Sequence, residues 1–167
     1  MIVVHHLNNS RSQRVLWLLE ELGIEYEIKF YERDQKTMLA PTSLREVHPL
    51  GKSPVITDAG LTVAESGAIV EYIVERYGNS RLIPPSGTPE RLRYTYWLHY
   101  AEGSAMPPLV MNLVFNLFGA GNNSAIDAFI ASQIKLHFDY IESELGKSTW
   151  FVGEEFTAAD IQMSFPL

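Results

Sequence analysis

The chain has 167 residues, 46% of them hydrophobic and 20% charged, which are the proportions of an ordinary globular protein with one or two small domains. It contains no cysteine, which excludes a disulfide framework, a cysteine-ligated zinc site and a protein thiol nucleophile, and which fits a cytoplasmic location. The net charge of −7, without any long basic run, argues against nucleic-acid binding. No apolar run approaches the roughly 20 residues that a membrane span needs, and the histidines have no metal-binding spacing, so neither membrane nor metal is expected.

The first 31 residues predict a strand, a helix and a second strand. Ile2–Leu7 is short, apolar and rich in β-branched residues, which predicts a buried strand. The polar loop Asn8–Ser12 follows, and then apolar residues at helical spacing up to Gly23, a residue type that commonly ends helices. Apolar and polar residues alternate over Tyr26–Tyr31, which predicts a second strand.

The next segment predicts a β-hairpin and a helix. Residues 33–49 are irregular, with one helical turn expected near Thr42–Glu46. Pro54–Thr57 and Leu61–Ala64 are apolar runs joined by a short Ala-Gly turn, which favours an antiparallel hairpin. We expect Ser66 to cap the following helix and Gly78 to end it. The pattern over residues 1–78 is therefore α/β, with β-α-β followed by β-β-α.

Turn-forming residues at 79–89 predict a linker, and residues 90–167 predict an all-helical domain. We expect one helix over Glu90–Ser104, an interruption at Met106-Pro107-Pro108 because proline cannot donate the helical hydrogen bond, and a continuation over Leu109–Phe118 that ends at Gly119. Ala125–Leu145 has clear helical spacing. A capping-box pattern at Thr157–Asp160 opens a last helix that is expected to run to Leu167.

Three stretches carry a resemblance to a known family. They are Asn9–Glu20, His48–Pro54 and Leu61–Ile69, and the capping pattern in the helical region agrees with them. Together they make the chain similar to the cytosolic glutathione transferase superfamily, and within it to serine-type members of the Gtt type from bacteria and fungi. The resemblance implies a thioredoxin-like N-terminal domain and an all-helical C-terminal domain. Because such proteins usually continue with further helices, the C-terminal domain is expected to be truncated at Leu167.

The implied activity is a detoxifying one, in which the glutathione thiolate attacks a small apolar electrophile, with peroxide reduction as a related use. The resemblance also implies a cytoplasmic homodimer with glutathione as co-substrate. An alternative is a non-catalytic protein that keeps the fold for binding or interaction. Exchange of disulfides or glutathionyl groups is disfavoured because it normally requires a protein cysteine.

The resemblance implies a cis peptide bond between Ser53 and Pro54. We expect this bond to turn the N–H and C=O of Val55 outward, where the cysteinyl unit of glutathione would pair with them as an added strand. The alternative is an ordinary trans proline at the start of a strand. Lys52 is a candidate for the glycine carboxylate of glutathione, with a surface lysine as the alternative. His48 is a weaker candidate contact, because a loop histidine in this position is more often structural or exposed.

Glu65 and Ser66 lie where a strand ends and a helix begins. A helix N-terminus favours a carboxylate, and the Glu65 side chain can accept a hydrogen bond from an ammonium group. The γ-glutamyl end of glutathione carries both charges. The alternative is a simple helix cap preceded by a solvated acid.

Ser10 is the expected donor to the glutathione thiolate. In serine-type members the donor lies four residues before the arginine of the first helix, and Arg14 sets that register in this chain. Ser12 and Asn9 are competing donors, and helix capping would equally explain one of the two serines.

The second substrate is expected to contact apolar residues of the interrupted helix. The candidates for this pocket are Met106, Leu109, Val110, Leu113 and Phe118. Packing in the core is the alternative for most of them.

Overall fold

A computed structural model of the chain describes residues 1–117 and 124–167. The chain divides into two compact units, Met1–Ile83 and Pro84–Leu167, and the division falls inside the 79–89 segment. Within the described residues, no helix is both long and apolar enough to cross a membrane.

The first unit contains a four-stranded sheet in the order β2-β1-β3-β4. The strands are β1 (Ile2–Leu7), β2 (Tyr26–Tyr31), β3 (Val55–Asp58) and β4 (Leu61–Ala64). The pair β1–β2 is parallel, whereas β1–β3 and β3–β4 are antiparallel. Ala59 and Gly60, with φ of 47° and 82°, form the tight turn of the predicted hairpin. The predicted β-α-β, β-β-α order is confirmed.

Two helices cover this sheet, α1 (Ser12–Leu22) and α2 (Ser66–Tyr77), and they pack against each other and against β1, β3 and β4. Gly23 adopts the left-handed conformation that ends α1, with φ of 65°. The short 3₁₀ helix at Thr42–Glu46 lies where the sequence predicts a turn, and its Leu44 packs with Leu7 of β1 and with a tyrosine of β2.

The ends of α2 differ in detail from the prediction. Ser66 is the first residue of the helix, and the capping position belongs to Glu65, so the expected Ser66 cap is wrong. Gly78 does end the helix, but its φ is −72°, which is not the left-handed conformation that glycine commonly adopts at a helix end. A glycine is needed there because a Cβ atom would lie 2.3 Å from the Val74 carbonyl oxygen.

The second unit consists of α3 (Pro89–Tyr100), α4 (Met106–Leu117), α5 (Ser124–Leu145) and α6 (Ala158–Met163). The predicted interruption by two prolines takes a different form, one turn of π-helix over Ala101–Ala105. Its wider turn bonds the Met106 N–H to the Ala101 carbonyl, so the chain passes into α4 although Pro107 and Pro108 lack N–H groups. The predicted end of this helix at Phe118 and Gly119 lies outside the described residues.

The predicted capping box at the start of α6 is confirmed. Thr157 Oγ1 accepts from the Ala159 N–H at 3.3 Å, and Asp160 accepts from the Thr157 N–H at 2.8 Å. The expectation that this helix runs to Leu167 is wrong: it ends at Met163, where the Ser164 N–H bonds back to the last turn.

Candidate active site

The candidate site lies at one end of the sheet, where three chain segments meet. In the antiparallel register, Val55 at the start of β3 lies opposite His5 near the end of β1 and opposite Ala64 at the end of β4. The loop that follows β1, the Ser53 turn and the start of α2 are therefore neighbours. Both α1 and α2 begin at this end, and their positive N-termini favour an anionic ligand there.

The Ser53–Pro54 peptide bond is cis, as the resemblance implies. Pro54 is buried, and the Ser53 hydroxyl donates to the His5 carbonyl oxygen at 3.0 Å. Within the described part of the chain, the N–H and C=O of Ser53 form no backbone hydrogen bond. This turn therefore has a free backbone N–H donor and a free backbone C=O acceptor, while the Ser53 side chain is hydrogen-bonded to β1.

Val55 does not present its backbone as expected. It is fully buried, and it pairs with β1 on one side and β4 on the other, so its N–H and C=O lie within the sheet. The expectation that the Val55 N–H and C=O face outward is therefore wrong. The unpaired backbone groups belong to Ser53, two residues earlier. The signal that could have shown this is the proline itself, since Pro54 has no N–H and lies just outside the strand, which leaves Ser53 before it unpaired.

The loop after β1 holds a chain of hydrogen-bonded side chains. Ser10 Oγ lies 2.8 Å from Ser12 Oγ and 3.3 Å from Ser53 Oγ. Ser12 Oγ in turn lies 2.8 Å from His6 Nδ1. Ser12 is fully buried, whereas Ser10 retains 5% of its exposure. The structure thus brings Ser10, Ser12 and Ser53 together and adds His6, which sequence reasoning missed because nothing in the spacing links a strand histidine to the loop.

The remaining donor candidate, Asn9, is exposed and has a left-handed φ of 49°. Its carbonyl oxygen accepts from Arg33 Nη2 at 3.1 Å, and Arg33 Nε also bonds the Asn8 carbonyl. Asn9 thus shapes the loop through its backbone.

Glu65 and Ser66 occupy the start of α2. Glu65 is exposed, has an unusual φ of 73° for a side-chain-bearing residue, and does not cap the helix with its carboxylate. Ser66 is nearly buried as the first helical residue, a position whose N–H has no partner inside the helix. An acid held in a strained conformation beside free helix donors is suited to a ligand with an ammonium and a carboxylate together.

The two basic candidates are positioned differently. Lys52 is exposed and forms no ion pair with a described residue. His48 is half-buried, and its Nδ1 atom is buried without a hydrogen-bond partner in the described ranges 1–117 and 124–167. Both lie just before the Ser53 turn in the sequence.

The four described pocket candidates belong to the second unit and share one face of α4 at a spacing of three and four residues. Met106 is buried, Leu109 is half-buried, and Val110 and Leu113 are exposed by 37% and 57%. Met106 therefore packs in the core, while the others leave apolar surface open. Phe118 lies outside the described residues.

Two family models match this chain. Residues 1–75 match the model of the glutathione S-transferase N-terminal domain, and residues 106–167 match that of the C-terminal domain. The chain belongs to the glutathione S-transferase family. It is 39% identical to glutathione S-transferase 3 of Schizosaccharomyces pombe and 33% identical to glutathione S-transferase 1 of Saccharomyces cerevisiae, over its whole length in both cases.

The transferase chain spans 73% and 80% of the lengths of these two fungal proteins. A solved structure of a glutathione S-transferase from Actinobacillus pleuropneumoniae superposes on it with a TM-score of 0.89 and 38% identity, covering 99% of this chain and 76% of that one. These relatives bear out the predicted resemblance to bacterial and fungal members and the two-part fold.

Proposed function

We propose that this transferase binds glutathione as an extended peptide across the end of the sheet and activates its thiol with Ser10. The cysteinyl backbone pairs with the free N–H and C=O of Ser53. The γ-glutamyl carboxylate lies at the start of α2 against Ser66, and its ammonium group pairs with Glu65. The glycine carboxylate is assigned to the Lys52 and His48 side chains, which precede the Ser53 turn in the sequence.

The observation that carries the proposal is the contact between Ser10 and Ser53. Their hydroxyl oxygens are 3.3 Å apart, so a peptide paired with the Ser53 backbone brings its cysteinyl side chain to Ser10. The alternative donors are less suitable, because Ser12 is fully buried and the Asn9 backbone carbonyl accepts a hydrogen bond from Arg33 that shapes the loop. The role proposed for Ser10 therefore follows from its place between the two segments.

The chemistry proposed is attack of the thiolate on a carbon electrophile. A free thiol has a pKa near ~8.5, and a hydroxyl donor together with the N-terminus of α1 lowers it by favouring the negative charge. The thiolate forms the new carbon–sulfur bond while the leaving group departs with its electron pair. Small apolar electrophiles are the proposed partners of the thiolate.

We also propose a homodimer in the cytoplasm, as family membership suggests. Large apolar side chains on α5 are exposed and would gain from burial against a second copy; they are Phe129, Leu136 and Phe138. Sedimentation at micromolar concentration should give twice the chain mass. A monomer under those conditions would contradict this part of the proposal.

Calorimetric titration with glutathione tests the binding mode. Glu65→Gln removes one side of a charge-assisted hydrogen bond worth about 1.5–3 kcal/mol, so we expect the Kd to rise by about tenfold or more. Glu46→Gln, an exposed acid in the 3₁₀ helix, is the matched control and should leave the Kd unchanged. Equal affinities for both variants would contradict the site. Binding without conjugation across a panel of electrophiles would favour the non-catalytic alternative.

A further inference from the structure

We propose that His6 takes the proton of the glutathione thiol through the hydroxyl groups of Ser12 and Ser10. This inference rests on the proposed function, since it requires the thiol to lie against Ser10. It assigns a positioning and proton-accepting role to a strand residue that does not touch the substrate.

The geometry of the relay is continuous. Ser10 Oγ and Ser12 Oγ are 2.8 Å apart, and Ser12 Oγ and His6 Nδ1 are also 2.8 Å apart. Both distances are typical of good hydrogen bonds that involve a hydroxyl group. Because Ser10 and Ser12 are buried, the relay passes through protein and not through bulk water.

The direction of the hydroxyl protons follows from the competing contacts. The Ser53 hydroxyl donates to a backbone carbonyl, and the Ser12 N–H donates to Ser10 Oγ at 3.3 Å. The Ser10 hydroxyl thus has two acceptors, Ser53 Oγ at 3.3 Å and Ser12 Oγ at 2.8 Å, and the relay uses the shorter contact, in which either oxygen can donate. The Ser12 proton likewise points to His6 Nδ1 at 2.8 Å, because its other acceptor, the Leu7 carbonyl, is 3.4 Å away.

The proton transfer balances within these groups. The thiol proton passes to Ser10 Oγ as the Ser10 proton passes to Ser12 Oγ and the Ser12 proton passes to His6 Nδ1. The products are a thiolate, two intact hydroxyls and an imidazolium. Every hydroxyl now points towards the sulfur, so Ser10 donates to the thiolate and Ser12 donates to Ser10. The negative charge at the sulfur is matched by a positive charge at His6.

The surroundings of His6 favour a neutral imidazole before the transfer. Its ring lies against Phe30 of β2, with ring centroids 5.6 Å apart, and burial lowers the pKa of the imidazole. The charged residues of the elements packed around it are Arg11 and Arg14 at the start of α1, and Glu27 and Lys29 of β2. The last two alternate onto the opposite face of the sheet from Phe30. A neutral ring with an Nε2–H tautomer leaves Nδ1 free to accept.

His6→Asn tests the relay, because the amide oxygen can accept from Ser12 but cannot take a proton. We expect glutathione to bind this variant while the pKa of the bound thiol, followed by thiolate absorbance in the ultraviolet, rises by about one unit, a tenfold loss of thiolate near neutral pH. His99→Asn, which changes an exposed histidine of α3, is the control and should match the wild type. An unchanged thiol pKa in His6→Asn would overturn the relay.

A second measurement uses the unaltered protein. Nitrogen-15 NMR of the imidazole should show His6 becoming protonated when glutathione binds, and remaining neutral with S-methylglutathione, which has no thiol proton. A thiolate complex with a neutral His6 would refute the relay and leave the proposed function intact. If the wild type does not bind glutathione at all, the proposed function and the relay fail together.

Discussion

The Ser53 hydroxyl donates to the carbonyl oxygen of His5 at 3.0 Å and so joins the turn before β3 to the end of β1. The same hydroxyl oxygen lies 3.3 Å from Ser10 Oγ. One side chain therefore holds in register the two segments that are proposed to bind the peptide and the thiol of glutathione. The backbone of Ser53 remains available because this restraint uses its side chain alone.

Removing that restraint should weaken binding more than catalysis. Ser53→Ala loses the hydrogen bond to the His5 carbonyl, worth about 1 kcal/mol, and the longer contact with Ser10 Oγ, so the KM for glutathione should rise by roughly fivefold or more while kcat changes little. Ser53→Thr keeps the hydroxyl and should restore most of the KM. A collapse of kcat in Ser53→Ala would contradict this prediction, because it would mean that the Ser53 hydroxyl acts in the chemical step.

Gly67 in α2 and Gly78 just after it should respond in opposite ways to alanine. At Gly78 a Cβ atom would meet the Val74 carbonyl oxygen at 2.3 Å, so Gly78→Ala should lower the free energy of unfolding by roughly 1–3 kcal/mol. At Gly67 nothing lies within 4 Å, so Gly67→Ala should be neutral or stabilise by about 0.5–1 kcal/mol through helix propensity. Urea unfolding of both variants measures this difference, and equal effects would contradict the packing around Gly78.

Asp160 should be a strong determinant of stability in the second unit. Its carboxylate accepts from the N–H of Phe151 at 2.9 Å and from the N–H and hydroxyl of Thr157 at 2.8 and 3.0 Å. Asp160→Ala leaves these buried donors unpaired, at a cost of about 1–3 kcal/mol for each group that water cannot reach. Thermal unfolding should show a lower Tm than for Glu155→Ala, an exposed control. Equal Tm values would refute the role of the capping box.

Asp58 should give the protein a specific sensitivity to acid. The Tyr77 hydroxyl donates a hydrogen bond to the Asp58 carboxylate, and the Tyr72 hydroxyl donates another at 2.8 Å. These bonds, together with the charges of the amino terminus and Arg76, lower the pKa of Asp58 below its ordinary value of 3.8. A depressed pKa in the folded state gives stability that is fully present above pH 3.8 and is lost as the pH falls through the folded-state pKa. Burial raises the pKa of Tyr72 to about 12, so this donor keeps its proton throughout.

The measurement is the urea midpoint as a function of pH. Asp58→Asn should be less stable than the wild type near neutral pH and should lose less stability on acidification. Asp139→Asn is the control, because its ion pair with Lys135 is exposed and surface pairs contribute little. Parallel curves for Asp58→Asn and the wild type would contradict the prediction.

Local signals explain which parts of this fold the sequence predicts. Gly23 and the capping box at Thr157 act within one helical turn, so the helix ends they define could be placed from the residues alone. The π-helical turn before Pro107 could not be predicted from the residues alone, because the choice between breaking a helix and widening one turn depends on the packing around it.

The site divides in the same way. Pro54 and the order of Glu65 and Ser66 carry a recognisable pattern, and the structure places these residues at one end of the sheet. The register of β3 decides that Ser53, and not Val55, has a free backbone, and that register exists only after the sheet has formed. The contact between His6 and Ser12 likewise depends on how α1 packs on β1.

Conjugation kinetics of Ser10→Ala, with saturating glutathione and an activated halonitrobenzene, are the decisive experiment for thiol activation. If the Ser10 hydroxyl stabilises the thiolate, kcat should fall by about 10²-fold or more, as expected when one preorganised donor is lost, while the calorimetric Kd for glutathione stays within a few-fold of the wild type. Ser43→Ala, an exposed serine of the 3₁₀ helix, should retain full activity. A Ser10→Ala variant that conjugates at the wild-type rate, with an unchanged thiol pKa, would contradict the proposed role of Ser10.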